Sequence, residues 1–199
     1  LPFLIKAGLS QGGIKTKAPL LQIARGTISA LGIMMGFYAI VNMPLADAQA
    51  IRFSSSLFVV PLAAIFLNEK VGLKRTIAAL IGFLGVIIML NPSGNYNIAA
   101  ISALGAAIAF AGAAIFVKVV SKYDQPITLM FYSNVVSIPI MIIPAILVWV
   151  TPNFDQLVLI LLMAICASIA HNFFIRAYAI GEASVIAPID YVRLLASAA

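Results

Sequence analysis

Four ionisable side chains stand inside long apolar runs of this chain: Arg52, His171, Asp190 and Arg193. A charge at mid-helix in a bilayer costs roughly 2.5–3.5 kcal/mol on insertion scales, so each of these groups is a candidate for function. Asp190 and Arg193 are three apart and share a helical face. They form either an intrahelical ion pair that lowers the insertion cost or a ligand or proton site facing a cavity. Pro188 lies two residues before Asp190 and leaves backbone groups nearby without their helical partners. Arg52 is about one turn inside its run. It either snorkels to the interface or serves as an outer-gate charge or an anchor for an anionic substrate group. His171 is the only histidine. It is suited to an interhelical hydrogen bond or to carrying a proton near neutral pH, and it shares a helix face with Tyr178.

Uncharged polar residues extend this set. Tyr38 and Asn42 form a stripe four residues apart, and Asn134 and Ser137 form another. Scattered hydrogen-bonding groups among aromatics are what a cavity for a small organic molecule requires. The same stripes serve equally as glue between helices. Ser54, Ser55 and Ser56 are consecutive, so at most two can face one cavity. The candidate substrate-binding residues are Tyr38, Asn42, Arg52, Asn134, His171, Tyr178, Asp190, Tyr191 and Arg193. No catalytic residue, metal ligand set or cofactor motif is expected. HExxH, GxSxG and a phosphate loop are all missing, and the six acids are scattered.

The elements that position these groups follow from composition. The chain is 63% hydrophobic and 9% charged, against about 25% charged in soluble domains. Apolar runs recur along its length without the alternation of a membrane barrel. The fold class is therefore an all-α polytopic membrane protein in a lipid bilayer. Six complete spans are expected at 24–43, 46–68, 74–91, 98–118, 127–150 and 156–180, with parts of two more at 1–6 and from Ala183. The net charge of +6 sits in loops and forms no basic patch interleaved with aromatics, so nucleic acid is not an expected partner. Lys6, Lys15, Lys17, Arg25, Lys70, Lys74, Arg75, Lys118, Lys122 and Arg176 fall at one set of loops, and the loops at 44–45, 92–97 and 151–155 hold no Lys or Arg. Short cytoplasmic loops collect positive charge. Loops 7–23, 69–75, 119–126 and 181–183 are therefore expected to be cytoplasmic, in a multi-pass protein of the inner membrane. Glu69, Lys70, Lys74 and Arg75 read as a solvated, topology-setting turn. Trp149 and Phe154 fit an aromatic belt on the opposite side. Gly32 and Gly36, Ala78 and Gly82, and Gly105, Ala109 and Ala113 have the spacing of close helix packing. Pro61, Pro139, Pro144 and Pro188 are positioned to bend their spans. Cys166, the single cysteine, reads as a small buried apolar residue.

The segment 45–57 resembles 183–195, with Ala46 over Ser184, Ile51 over Ile189, Phe53 over Tyr191 and Leu57 over Leu195. These helices are five spans apart, so they run in opposite directions. That is the signature of an inverted repeat, which in many secondary transporters places the substrate site near the midplane. A complete protein on this plan has ten helices in two five-helix halves. The chain lacks an initial Met and stops inside an apolar run, so it is expected to be a fragment.

Ala46–Ala50, Glu69, Arg75, Gly82-Phe83-Leu84-Gly85 and Pro92 resemble the EamA-type repeat of the drug/metabolite transporter superfamily. Ile23–Gly26 and Ala187–Tyr191 fit the same family. The resemblance implies ten helices in two inverted halves, cytoplasmic termini and transport of small metabolites. It assigns 1–92 to the C-terminal part of a first repeat and 98–199 to the N-terminal part of a second. Many members carry Pro where this chain has Ser56, while this chain has Pro61, so the kink is expected elsewhere in that helix. Within the family the chain resembles the branch that includes S-adenosylmethionine uptake carriers and riboflavin importers.

The leading expectation is a non-enzymatic secondary carrier of a small organic molecule, working by alternating access. A non-transporting scaffold subunit and an intramembrane enzyme are the alternatives. A homodimer is a candidate assembly.

Overall fold

The computed structural model describes residues 15–90 and 98–187. Asp190, Tyr191 and Arg193, with Pro188, lie outside the described residues, as does most of the second copy of the 45–57 repeat.

The first helix, α1, runs Pro19–Asn42. Proline at the first helical position has its φ preset and gives up no intrahelical donor. The helix therefore starts before the expected residue 24 and runs to the Met43-Pro44 break. The next span is interrupted: α2 covers Leu45–Phe53 and α3 covers Ser55–Leu67. At its end Asn68 takes a left-handed conformation, φ 53°, which Asn tolerates better than most residues. The chain thus turns sharply into Glu69. Then come α4 (Leu73–Leu90), α5 (Ile98–Val120), α6 (Pro126–Leu147), α7 (Phe154–Ile180) and the short α8 (Ala183–Ile186). A reciprocal capping box starts α7: Asn153 Oδ1 accepts from the Gln156 amide and Gln156 Oε1 from the Asn153 amide, both at 2.9 Å. Helix α6 continues through Pro139 and Pro144.

Among the described residues, five stretches are long and apolar enough to cross a membrane: Pro19–Asn42, Asp47–Leu67, Ile98–Val120, Pro126–Leu147 and Phe154–Ile180. They match five of the six expected spans. The sixth, 74–91, is helical as the 18-residue α4.

Helix α5 is the hub, packing on α1, α2 and α3. Its buried face is a ladder of alanines, Ala99, Ala103, Ala106, Ala107, Ala111 and Ala114. Without a hydrophobic drive between helices in lipid, association depends on close van der Waals approach, which small side chains permit. A Cβ built on Gly32 of α1 lies 3.0 Å from the Ala109 Cβ. One on Gly82 of α4 lies 2.6 Å from Leu57 Cδ1. One apolar core gathers Val59, Ala63, Ile115, Leu129, Ile175 and Tyr178, and a second joins Ala39, Ala48, Ile51 and Ala103.

The first half of α7 is apolar and bare, with Leu159, Leu161 and Met163 more than half exposed. Lipid tails suit such a surface, whereas water does not. This exposure corrects the expected burial of Cys166, which lies on the same bare stretch. Apolar character predicts burial only when the surrounding solvent is water.

Candidate functional site

A cavity of about 280 Å³ opens between α1, the α2–α3 junction, α5 and α7. Helix α1 contributes Arg25, Ser29 and Ile33, spaced by four and so on one face. Helix α7 contributes His171, Phe174 and Tyr178, again on one face. The His171 and Phe174 rings stack at 6.2 Å and 9°, and Phe174 tilts against Tyr178 at 4.6 Å and 39°. Phe110 and Ala114 of α5 close an apolar side.

The break in the second span brings backbone and polar groups to this cavity. Around Ser54 the ladder tightens to three-residue steps, Ser54 N to Ile51 O at 3.0 Å and Leu57 N to Ser54 O at 2.9 Å. The Ser54 hydroxyl also donates to the Ile51 carbonyl, at 2.5 Å. A Ser side chain that hydrogen-bonds the preceding turn commonly bends a helix. The break therefore lies at Ser54, while Pro61 remains inside α3. Arg52, Phe53, Ser55 and Ser56 flank it and line the cavity. Two of the three serines face it, as their consecutive positions allow.

Arg25 is the residue the sequence misplaces. Grouped with the loop cations, it is in fact a buried residue of α1, 1% exposed. Because α1 begins at Pro19, Arg25 is already well inside the helix. Its Nη2 donates to the Leu129 carbonyl and the Ser133 hydroxyl of α6. Its Nε has no hydrogen-bond partner among the described residues.

The expected site residues divide. Arg52, His171 and Tyr178 line the cavity, and Arg52 Nε also donates to Gln49 Oε1 at 3.1 Å. Tyr38 and Asn42 do not line it: Tyr38 is exposed, and Asn42 donates to the Tyr38 carbonyl at 2.7 Å. Asn134 likewise donates within its own helix, to the Met130 carbonyl at 2.9 Å. Ser137 donates to the Gly26 carbonyl at 3.4 Å and ties α6 to α1. Asp190, Tyr191 and Arg193 fall outside the described residues.

A second polar cluster lies at the end of the bundle where α1 starts. Glu69 is no solvated turn residue: its carboxylate accepts from the backbone N–H groups of Ala183 at 2.9 Å and Ser184 at 3.1 Å. These are orphan donors at the start of α8. Arg75 Nη1 donates to the Ser184 hydroxyl at 3.1 Å and approaches Glu182 at 3.5 Å. Lys118 Nζ donates to the Gly181 carbonyl at 2.6 Å. Partial burial alone raises the Glu69 carboxyl; hydrogen bonds from Ser184 and Ala183, with the Lys118 charge, outweigh it and hold the group below the usual carboxylate range. Asp124 is held low in the same way. Burial opposes ionisation, but the Lys17 amide, the Thr16 hydroxyl and the Gln22 side chain all donate to it, and Lys17 adds its charge. The Lys17 and Gln22 bonds are each 2.9 Å.

Chemically, the cavity offers hydrogen bonds, aromatic faces and positive charge. Among the described residues no three His, Cys, Asp or Glu converge on a point where a metal would bind.

The sequence profile of the EamA-like transporter family matches residues 1–91. An S-adenosylmethionine uptake transporter of Rickettsia prowazekii is 29% identical over 199 residues, all of this chain and 67% of the relative. That of Rickettsia bellii is 31% identical over all of this chain and 68% of its own length. A riboflavin transporter of Vibrio cholerae is 30% identical over 98% of this chain and 66% of the relative. No solved structure matches the chain at a significant level. With similarity of this kind sustained from end to end, the chain belongs to the EamA-like transporter family and is a transporter of small metabolites.

Proposed function

We propose that the protein is a secondary carrier that moves a small organic metabolite by alternating access. The substrate is of the S-adenosylmethionine or riboflavin type named for its relatives, and the binding site is the cavity at the α2–α3 break. The observation that carries this reading is the convergence of Arg25, Arg52 and His171 on one membrane-embedded cavity beside an interrupted helix. Interrupted helices that line a cavity mark substrate sites in many transporters. The halves on this reading are the two inverted repeats, 1–92 and 98–199, of a ten-helix plan. Asp190, Tyr191 and Arg193 belong to the site on this reading, from the sequence that follows α8. The ends bearing Glu69, Asp124 and the basic loops face the cytoplasm, across the inner membrane of a bacterium.

Uptake of labelled S-adenosylmethionine and riboflavin by proteoliposomes tests this. The expected result is saturable uptake of one of them, lost in His171→Ala and Arg52→Gln while both variants still insert. Uptake that is unsaturable, or unchanged in both variants, refutes the assignment.

A further inference from the structure

We propose that Arg25 anchors an anionic group of the transported molecule, a carboxylate, on the α1 face of the cavity, with Arg52 and His171 around the same space. This rests on the carrier reading above and specifies the chemistry of its substrate. Arg25 is 1% exposed, and the hydrogen bonds of its guanidinium among the described residues go to two uncharged acceptors, the Leu129 carbonyl and the Ser133 hydroxyl. Its Nε is buried without an acceptor among the described residues. Buried charges in proteins are ordinarily paired, because removing a lone ion from water is far costlier than removing a neutral pair. Here the pairing is missing: among the described residues the recorded ion pair is Arg75 with Glu182, at the end of the bundle.

Arg25 borders the cavity from α1, so a ligand that carries a negative group into it can supply the partner the guanidinium lacks. Arginine suits the task because its planar, permanently charged fork matches a carboxylate. Ser29 stands one turn further along the same face of α1 and adds a hydroxyl. The aromatic run His171–Phe174–Tyr178 provides a flat apolar wall for the rest of the molecule. A neutral flavin would leave the guanidinium uncompensated, whereas an amino-acid-type carboxylate would neutralise it.

The test uses the purified full-length protein with S-adenosylmethionine, its decarboxylated counterpart and riboflavin as probes. Binding is read by ligand-induced thermal stabilisation and transport by proteoliposome uptake. The carboxylate-bearing probe is expected to bind at least about tenfold more tightly than the decarboxylated one. Arg25→Lys keeps the preference with weaker binding, and Arg25→Gln removes the preference. If Arg25→Gln does not fold, the preference of the parent protein and its persistence in Arg25→Lys decide the matter. Equal binding of the two adenosyl probes, riboflavin binding alone, or an undiminished preference in Arg25→Gln overturns the proposal and leaves the carrier reading standing, provided any probe is taken up. Absence of both binding and uptake for all three overturns both.

Discussion

Removing the Glu69 carboxylate should unlatch the start of α8. In the native structure that carboxylate takes the backbone N–H groups of Ala183 and Ser184 at 2.9 and 3.1 Å. Hydrogen bonds to a charged group contribute roughly 1.5–3 kcal/mol each when buried. Glu69 is only partly buried, so water replaces some of what is lost, and Glu69→Ala is expected to cost about 2–3 kcal/mol in all. For a protein of this size that corresponds to a fall in Tm of roughly 4–12 °C. Glu69→Gln keeps one acceptor oxygen without the charge and should lose about half as much. The assay is loss of helical circular dichroism on heating in detergent, at several pH values. The sign is fixed by the depressed carboxyl. Its folded value is below its unfolded value, so the stabilisation is complete above about pH 4.3 and fades as the pH falls through the folded value. The gap between parent and Glu69→Gln should therefore close on acidification. A Glu69→Ala protein that melts within about 1 °C of the parent at pH 7 would refute the latch, because even one lost hydrogen bond exceeds that.

Asp124→Asn should weaken the hold on the start of α1, by about 1–2 kcal/mol, and its effect should also diminish on acidification. Faster exchange of the Lys17 amide, which donates to Asp124, is the direct readout. Gly32→Leu should force α1 away from Ala109 of α5 and cost about 2–4 kcal/mol, seen as a lower Tm with insertion retained. Gly32→Ala, meeting a Cβ at 3.0 Å, should cost under about 1.5 kcal/mol. Ser54→Ala should straighten the α2–α3 junction and lower uptake without a comparable loss of stability, measured by transport and melting on one preparation.

Helices and packing were legible because bilayer chemistry is read from composition. Apolar length gave the spans, and the small residues at Gly32, Ala109 and Gly82 mark real close approaches. The misreadings have separate causes. Charge alone places Arg25 in a loop, although Pro19 at a first helical position and the three-residue spacing of Gln22 and Arg25 put both on one buried face. Glu69 looked solvated because its partners are far away in the chain, and no local pattern announces a distant backbone donor. The rule that polar groups in apolar runs need a reason points to Arg52, His171 and Tyr178, which line the cavity. The same rule also selected Asn42 and Asn134, whose reason is a carbonyl in the preceding turn of their own helix.

The polar ties between distant parts of the chain share one property. Gln22 with Asp124, Arg25 with Leu129 and Ser133, Ser137 with Gly26, and Glu69 with Ala183 and Ser184 join residues 102 to 115 positions apart. At a synthesis rate of about 5–20 residues per second, the earlier partner waits roughly 5–23 s for the later one. During that interval Arg25 must stand in or beside the bilayer without its α6 acceptors. The same separations that make the finished bundle a single body make its birth a staged one. A quality-control protease or an insertion chaperone would meet the first half as a cationic helix still lacking its mate.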